Sequence, residues 1–304
     1  MISLTRISYG GWPNCYQLSN GVVDLVLTTD VGPRIIRFGF GGEKNEFVEL
    51  PEVGQAGGSE WHSYGGHRLW HAPEHMPRTY YPDNNPVQIE EHERFVRLVQ
   101  SVEPTTGIQK EMDLYLDDSA AKVQVVHRLI NKNLWPVELA PWALSVMAPG
   151  GVGIAPLPPR GPHPLNMLPA NTLALWAYTN MADPRWTWGH EFIMLCQDVS
   201  RTEPQKVGLY TPAGWAAYAR GGHLFVKTFD PGQGAVHPDF NSNVEFFTNE
   251  AILEVETLGA MVKLEPETAV THTENWNLFA NTPQPVTEED VRQHVLPQIQ
   301  TILP

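Results

Sequence analysis

Short segments that alternate apolar and polar residues, separated by turn-forming residues, dominate this chain. In residues 108–116 the apolar side chains take one face and Gln, Glu, Asp and Tyr take the other, which is the period-two pattern of a half-buried strand. A turn at 117–119 and a second alternating run at 123–129 predict a hairpin. Residues 21–27 and 34–40 flank a Gly-Pro turn and predict another hairpin.

Further short runs of the same kind predict additional strands at 138–147, 192–197, 207–210, 224–229, 243–247, 251–258 and 270–278. Many short strands and few helical periods predict an all-β sandwich or barrel. One C-terminal helix is expected over about 287–300, because Thr287 can cap it and acidic residues follow. We predict one domain over 1–304 with a core over about 3–280, and a surface loop at the Pro-rich stretch 155–164.

Composition narrows the function classes. A formal net charge of −14 disfavours binding to nucleic acid, because that affinity depends on clustered Lys and Arg. The two cysteines, Cys15 and Cys196, have no spacing typical of a disulfide scaffold or a zinc site. Neither a signal peptide nor an apolar run of about 18 residues is visible, so we expect a cytoplasmic protein that does not enter a membrane. The oligomeric state is left open.

Residues 61–86 combine histidines, aromatic residues, Gly and Pro without a sustained apolar period, which predicts a loop. Polar residues of this kind can bind the hydroxyl groups of a sugar, and tryptophan rings can stack on its apolar face. The candidates are His67, Arg68, Trp70, His71 and Glu74. The alternative is a hydrogen-bonded network that only ties a loop to the core.

The same stretch contains histidine and glutamate spacings found in metal sites. His67 and His71 are four residues apart, and His71 and Glu74 are three apart, so the side chains would converge on a helix. Pro73 and the glycine pair 65–66 disfavour a helix there. We therefore expect neither a metal nor a cofactor.

A second segment, 243–259, places Glu254 and Glu256 on one face of a predicted strand. If that face lines a groove, burial would raise one carboxyl pKa, as general acid or base catalysis requires. The alternative is a solvated sheet face. Glu245 in this segment, and Trp142 and Lys206 elsewhere, are further candidates for a groove wall. Weaker candidates for that wall are Asp183, Arg185, Trp186, Trp188, Tyr210 and Trp215.

Several motifs are absent from the sequence. There is no Gly-x-Gly-x-x-Gly dinucleotide loop, no Walker-type Gly-Lys-Ser/Thr, no Gly-x-Ser-x-Gly elbow and no His-Glu-x-x-His. Nucleotide-dependent and serine-hydrolase chemistry therefore lose support.

Four blocks of the chain resemble the galactose-mutarotase-like (aldose 1-epimerase-like) superfamily, and in particular its DUF4380 branch. The blocks are residues 30–38, 65–70, 123–143 and 252–278, the last containing Glu-Val-Glu-Thr-Leu-Gly. The resemblance implies a β-supersandwich that binds a sugar ring. It also implies that Arg68 binds the sugar and that Glu256, rather than Glu254, is the base that takes the anomeric hydroxyl proton.

The family's acid is a histidine in an Asn-His-x-Tyr-Phe-Asn block. That block would fall near 141–144, where this chain has no histidine. His67 or His71 would then have to supply the proton. The leading hypothesis is aldose 1-epimerase-like acid/base catalysis on a free sugar or sugar derivative. The alternatives are a non-catalytic carbohydrate-binding module or sensor, and a sugar lyase or hydrolase on the same scaffold.

Overall fold

A computed structural model describes residues 2–303, which form two antiparallel β-sheets packed face to face. The strands are numbered in chain order. Sheet 1 contains β1 (Ser3–Tyr9), β2 (Trp12–Ser19), β3 (Val23–Thr28), β4 (Arg34–Phe40), β5 (Gly66–Ala72), β10 (Val137–Met147), β12 (Leu173–Leu175), β15 (Gln205–Leu209), β18 (Val244–Thr248), β19 (Leu253–Leu258) and β20 (Val262–Leu264). Sheet 2 contains β6 (Gln88–Glu91), β7 (Val96–Val99), β8 (Ile108–Leu116), β9 (Lys122–Asn131), β11 (Val152–Pro156), β13 (Trp186–Trp188), β14 (Phe192–Cys196), β16 (Trp215–Arg220), β17 (His223–Phe229) and β21 (Ala269–Phe279).

The strand order brings distant parts of the chain together. Sheet 1 runs β1-β2-β3-β4-β5-β10-β19-β18-β15-β12, and β20 pairs with the start of β10. Sheet 2 runs β13-β14-β11-β16-β17-β21-β9-β8-β7-β6. In sheet 1, β5, β10 and β19 are neighbours although they are far apart in sequence. These three strands therefore bring residues near 70, 142 and 255 side by side.

The core lies between the sheets. Phe38 of sheet 1 packs against Phe225 and Trp276 of sheet 2, with ring centroids 5.8 Å and 5.6 Å away. Phe47 also contacts Trp276, at 5.6 Å. All four rings are buried, and aromatic burial of this kind contributes heavily to the stability of β-sandwiches.

The predicted all-β class is confirmed, and so are both predicted hairpins, β3–β4 and β8–β9. The C-terminal helix is also present, with a capping box at Thr287. It comprises α-helical Glu288–Asp290, π-helical Val291–Val295 and α-helical Leu296–Gln300, so the helix continues past Pro297. Proline lacks the amide needed for the regular bond, which explains the change of helical type just before it. Within 2–303 no helix has the length and apolar character needed to cross a bilayer.

Two predictions of loop structure were wrong in part. The Pro-rich stretch begins as strand, because Val152–Pro156 pairs with β14, and the loop starts at Leu157. The stretch around His67 was predicted as a loop, but Gly66–Ala72 is the fully buried strand β5. Buried on both faces, it lacks the alternation that marks a half-buried strand.

Gly65 and Gly66 make this strand possible. Their φ angles are +89° and +71°, and a Cβ on either residue would overlap the carbonyl oxygen of Val48 or Ile35. Only glycine fits such a close backbone approach. The glycine pair therefore marks the entry to a strand and not a flexible loop.

Candidate functional site

A groove of about 340 Å³ opens on the face of sheet 1 that turns away from sheet 2. Because side chains alternate along a strand, Leu69 points into the core while its neighbours Arg68 and Trp70 point into the groove. Cross-strand register extends this face, since Trp70 lies opposite Trp142. The remaining groove walls come from other strands and loops and include Trp61, Ser63, Glu74, Tyr80, Tyr178, Lys206, Phe247 and Glu254.

An ion pair lies at the base of the groove. Arg68 donates from Nη2 to Oε1 of Glu254 at 3.0 Å, and both side chains are nearly buried. The guanidinium also stacks over Trp70, with Cζ 4.5 Å from the ring centroid. Burial raises the pKa of Glu254 above its usual value, although the positive charge of Arg68 opposes that shift. A carboxyl group with a raised pKa beside an arginine fork can exchange protons with a bound hydroxyl group.

A second charged cluster lies beside it. The ammonium group of Lys206 is 2.8 Å from Oε2 of Glu245 and 3.3 Å from Oε2 of Glu256. It also sits 4.7 Å from the ring centroid of Trp142, whose Nε1 donates to Glu256 at 2.7 Å. Lys206 and Trp142 line the groove, while Glu245 and Glu256 lie behind them and are fully buried.

Aromatic rings form one wall of the groove. Tyr80 packs edge-on against Trp61 and Trp70, with centroids 5.2 Å and 5.1 Å away. Its hydroxyl donates to Glu74, and burial together with that carboxylate raises the pKa of Tyr80. Flat rings beside hydrogen-bonding groups suit a ligand with an apolar face and a polar rim, and a pyranose has both.

His67 is on the opposite face of β5, between the sheets. Nδ1 of His127 lies 2.9 Å from the carbonyl oxygen of His272 and must donate to it, so Nε2 of His127 is an acceptor. Nε2 of His67 donates to that atom at 2.7 Å, and Nδ1 of His67 accepts from the Ser145 hydroxyl at 2.8 Å. Burial lowers the pKa of His67 and His127, which keeps both rings neutral.

A buried ion pair completes this inner network. Lys227 lies 2.8 Å from Oε1 of Glu274, and both are fully buried. Glu274 also accepts from Trp276 Nε1 at 2.7 Å and from the Thr257 hydroxyl. Lys227 donates in addition to the carbonyl oxygen of Val255 at 3.0 Å, and so ties sheet 2 to β19.

His67, His127 and Glu274 place one potential metal-ligand atom each within 4.8 Å of one another. Hydrogen bonds already occupy these atoms, and the Lys227 ammonium beside Glu274 would repel a cation. The spacing considered in the sequence does not form a site either, because His71 faces the core and Glu74 the groove. The cluster fits a structural network better than a metal site.

His71 also faces the interior. Its Nε2 is buried and has no hydrogen-bond partner among residues 2–303, and burial lowers its pKa to about 3. A ring that stays neutral over the physiological range cannot act there as a cationic acid.

This shifted pKa predicts a pH dependence of stability. Between about pH 6.5 and 3 the unfolded chain binds a proton at His71 that the folded protein does not, so stability falls as the pH falls. When the pH is lowered from 7 to 5, the unfolding free energy of the unmodified protein should fall by about 2 kcal/mol more than that of His71→Gln. Urea unfolding at both pH values measures this. The exposed His190→Gln serves as control and should behave like the unmodified protein. Equal pH slopes for His71→Gln and the unmodified protein would show that His71 does not have this pKa.

The structure brings most of the predicted site residues together. Six of the ten line the groove, namely Arg68, Trp70, Glu74, Trp142, Lys206 and Glu254. Glu245 and Glu256 contact Lys206 from behind, whereas His67 and His71 face the other way. The predicted shared face of Glu254 and Glu256 is confirmed, and the alternative of a solvated face is not, since both are buried.

Sequence reasoning missed Trp176, Tyr178 and Phe247. Trp176 covers Lys206 at 4.6 Å and the other two line the groove. The apolar run Leu-Ala-Leu-Trp-Ala-Tyr at 173–178 was the available signal for Trp176 and Tyr178. Several weaker candidates lie elsewhere. Trp186 and Trp215 belong to apolar clusters, and Asp183 pairs with Arg185 at 3.0 Å.

Known proteins were compared with this chain. No family model matches the sequence, and no curated protein matches significantly. Among solved structures, a galactose mutarotase-like protein from Lactobacillus casei ATCC 334 aligns over 88% of this chain and 100% of its own, with a TM-score of 0.58 and 10% identity. A galactose mutarotase related enzyme from Lactobacillus acidophilus aligns over 90% of this chain and 100% of its own, with a TM-score of 0.55 and 9% identity. A proposed aldose 1-epimerase from Escherichia coli K12 aligns over 92% of this chain and 100% of its own, with a TM-score of 0.52 and 10% identity.

These matches concern the fold. The two-sheet sandwich of this chain is the mutarotase-like β-sandwich that the sequence resemblance implied. At about 10% identity the likeness does not extend to activity.

Proposed function

We propose that the groove binds a monosaccharide or sugar derivative and transfers protons to and from it, most simply as an aldose 1-epimerase. The Arg68–Glu254 pair at the base of an aromatic-walled groove carries this proposal. It supplies a hydrogen-bonding fork and a proton acceptor side by side. The mutarotase-like fold supports the choice of a sugar as ligand.

In this proposal Glu254 takes the proton of the anomeric hydroxyl while a second group protonates the ring oxygen. The ring then opens, the aldehyde carbon rotates, and closure on either face returns both protons. Arg68 holds the sugar and orients Glu254. The resemblance favoured Glu256 as the base, but Glu254 lines the groove and Glu256 lies behind Trp142 and Lys206.

Magnetisation-transfer NMR of anomer exchange, across a panel of aldoses, tests this function. We expect the protein to accelerate exchange of at least one sugar and Glu254→Gln to reduce that rate about 100-fold, because the amide cannot accept the proton. Glu265→Gln, at an exposed carboxyl that does not line the groove, is the control and should exchange normally. Full activity in Glu254→Gln would exclude Glu254 as the base.

A second candidate is a carbohydrate-binding protein without catalysis. One observation favours it, namely that no histidine is among the residues that line the groove in the described chain. Sugar binding that persists in Glu254→Gln, with no exchange by the unmodified protein, would establish this candidate. A lyase or hydrolase would be identified by product analysis on oligosaccharides.

Other finer assignments rest on the sequence alone. They are the DUF4380 branch, the single-domain organisation, the cytoplasmic location and the lack of nucleic-acid binding. Each stays a prediction.

A further inference from the structure

The cluster behind the groove has one positive charge and two carboxyl groups. Glu245 and Glu256 are direct cross-strand partners on β18 and β19, and both are fully buried. Among residues 2–303, Lys206 is the only cation that forms an ion pair with either carboxyl group. Two ionised carboxylates would leave a net negative charge in a fully buried site, which is strongly unfavourable.

We propose that Glu245 and Glu256 share one proton, and that Lys206, which can regain a proton from this pair, is the groove's proton donor in place of a histidine. This inference rests on the proposed function. Its geometric support is that Lys206 lines the groove and contacts both carboxyl groups. In addition, Oε1 of Glu245 and Oε1 of Glu256 are buried without hydrogen-bond partners among residues 2–303, so each has room for the proton.

The pKa directions agree with the shared proton. Burial raises the pKa of Glu245 well above its usual value, even though Lys206 opposes that shift. Burial alone would lower the pKa of Lys206, but Glu245 and Glu256 together raise it well above its usual value. An ammonium group held this firmly can release a proton only if another group returns one, and the carboxyl pair is placed to do so.

The proton balance is simple. As the bond between the anomeric carbon and the ring oxygen breaks, Nζ of Lys206 gives a proton to the ring oxygen, and Glu254 takes one from the anomeric hydroxyl. The shared proton of Glu245 and Glu256 then moves to Nζ. Ring closure reverses each transfer, so no proton is gained or lost overall.

Further charged groups lie near the cluster. Asp239 raises the pKa of Glu245, Glu74 raises that of Lys206, and Glu254 lies on the same face two residues before Glu256. These three groups are acidic and favour retention of the shared proton. Lys227, whose pKa Glu256 raises, is a cation on the other side of the sheet and opposes it.

Difference infrared spectroscopy at pH 7 tests the shared proton without any sugar. We expect a carboxylic C=O stretch in the unmodified protein that Glu245→Gln and Glu256→Gln each remove, because one carboxyl paired with Lys206 ionises. The exposed Glu265→Gln should keep the band. A band that survives either of the first two substitutions, or no band at all, would overturn the shared proton.

Exchange kinetics test the donor role. Glu245→Gln replaces a protonated carboxyl with a neutral amide of the same shape, so folding and sugar affinity should change less than about threefold. The rate of anomer exchange should fall about 100-fold. An unchanged rate would overturn the donor role. If the unmodified protein exchanges no sugar, the proposed function and the donor role both fail, and the infrared band still decides the shared proton.

Discussion

Arg68→Leu should weaken sugar binding by at least 100-fold. A hydrogen bond from a charged group contributes about 1.5–3 kcal/mol, so losing the bonds from the guanidinium to the sugar should cost about 3 kcal/mol, and a tenfold change in affinity corresponds to about 1.4 kcal/mol. Arg68 donates to Glu254 at 3.0 Å and stacks on Trp70, so its loss removes the fork and leaves a buried carboxylate unpaired. Isothermal titration with the sugar that exchanges fastest measures the effect.

Two further variants separate binding from stability. Arg68→Lys keeps the charge but not the planar fork, so affinity should still fall about tenfold. Arg37→Leu breaks a comparable pair, Arg37–Asp24 at 3.0 Å, which does not line the groove. It should leave affinity unchanged. Equal loss of affinity in the Arg37 and Arg68 variants would mean that the effect comes from destabilisation and not from the groove.

Lys227→Met should lower the unfolding free energy by about 4 kcal/mol. Breaking a buried ion pair leaves an uncompensated charge, here Glu274, between the two sheets. Thermal and urea unfolding at pH 7 measure the loss. Combining Lys227→Met with Glu274→Gln removes the unpaired charge, so the double variant should regain about half of the lost unfolding free energy. A loss below about 1 kcal/mol in the single variant would contradict the buried pair.

Lys110→Met provides the matched comparison. Lys110 pairs with Glu103 at 2.6 Å and is also buried, so its loss should destabilise the protein to a similar degree. Of these two lysines, Lys227 alone donates to the carbonyl oxygen of Val255, which directly follows the groove residue Glu254. Folded Lys227→Met should therefore bind sugar more weakly, whereas folded Lys110→Met should not.

The half-buried strands were predictable because their side-chain pattern has a period of two. β8 begins and ends at the predicted residues, Ile108 and Leu116. β5 was not predictable in this way. One of its faces packs into the network between the sheets, and the other contributes to the wall of the groove. Both faces are buried, and polar and apolar residues occur on both.

That difference explains the mixed outcome for the site. Arg68 and Trp70 were correctly expected to lie together, but His67 is adjacent in sequence and points to the other side because the segment is a strand. Conversely, Lys206 and Glu256 were separate candidates with no sequence signal linking them. Only the order β19-β18-β15 in sheet 1 brings them within 3.3 Å.

A crystal structure of the protein soaked with the aldose that exchanges fastest tests the sugar groove most directly. We expect the sugar ring between Trp61, Trp70 and Trp142, with Arg68 and Glu254 within hydrogen-bonding distance of its anomeric hydroxyl and Lys206 facing its ring oxygen. If the sugar binds elsewhere, and this groove is accessible to solvent in the crystal but contains no sugar, the proposed site is wrong.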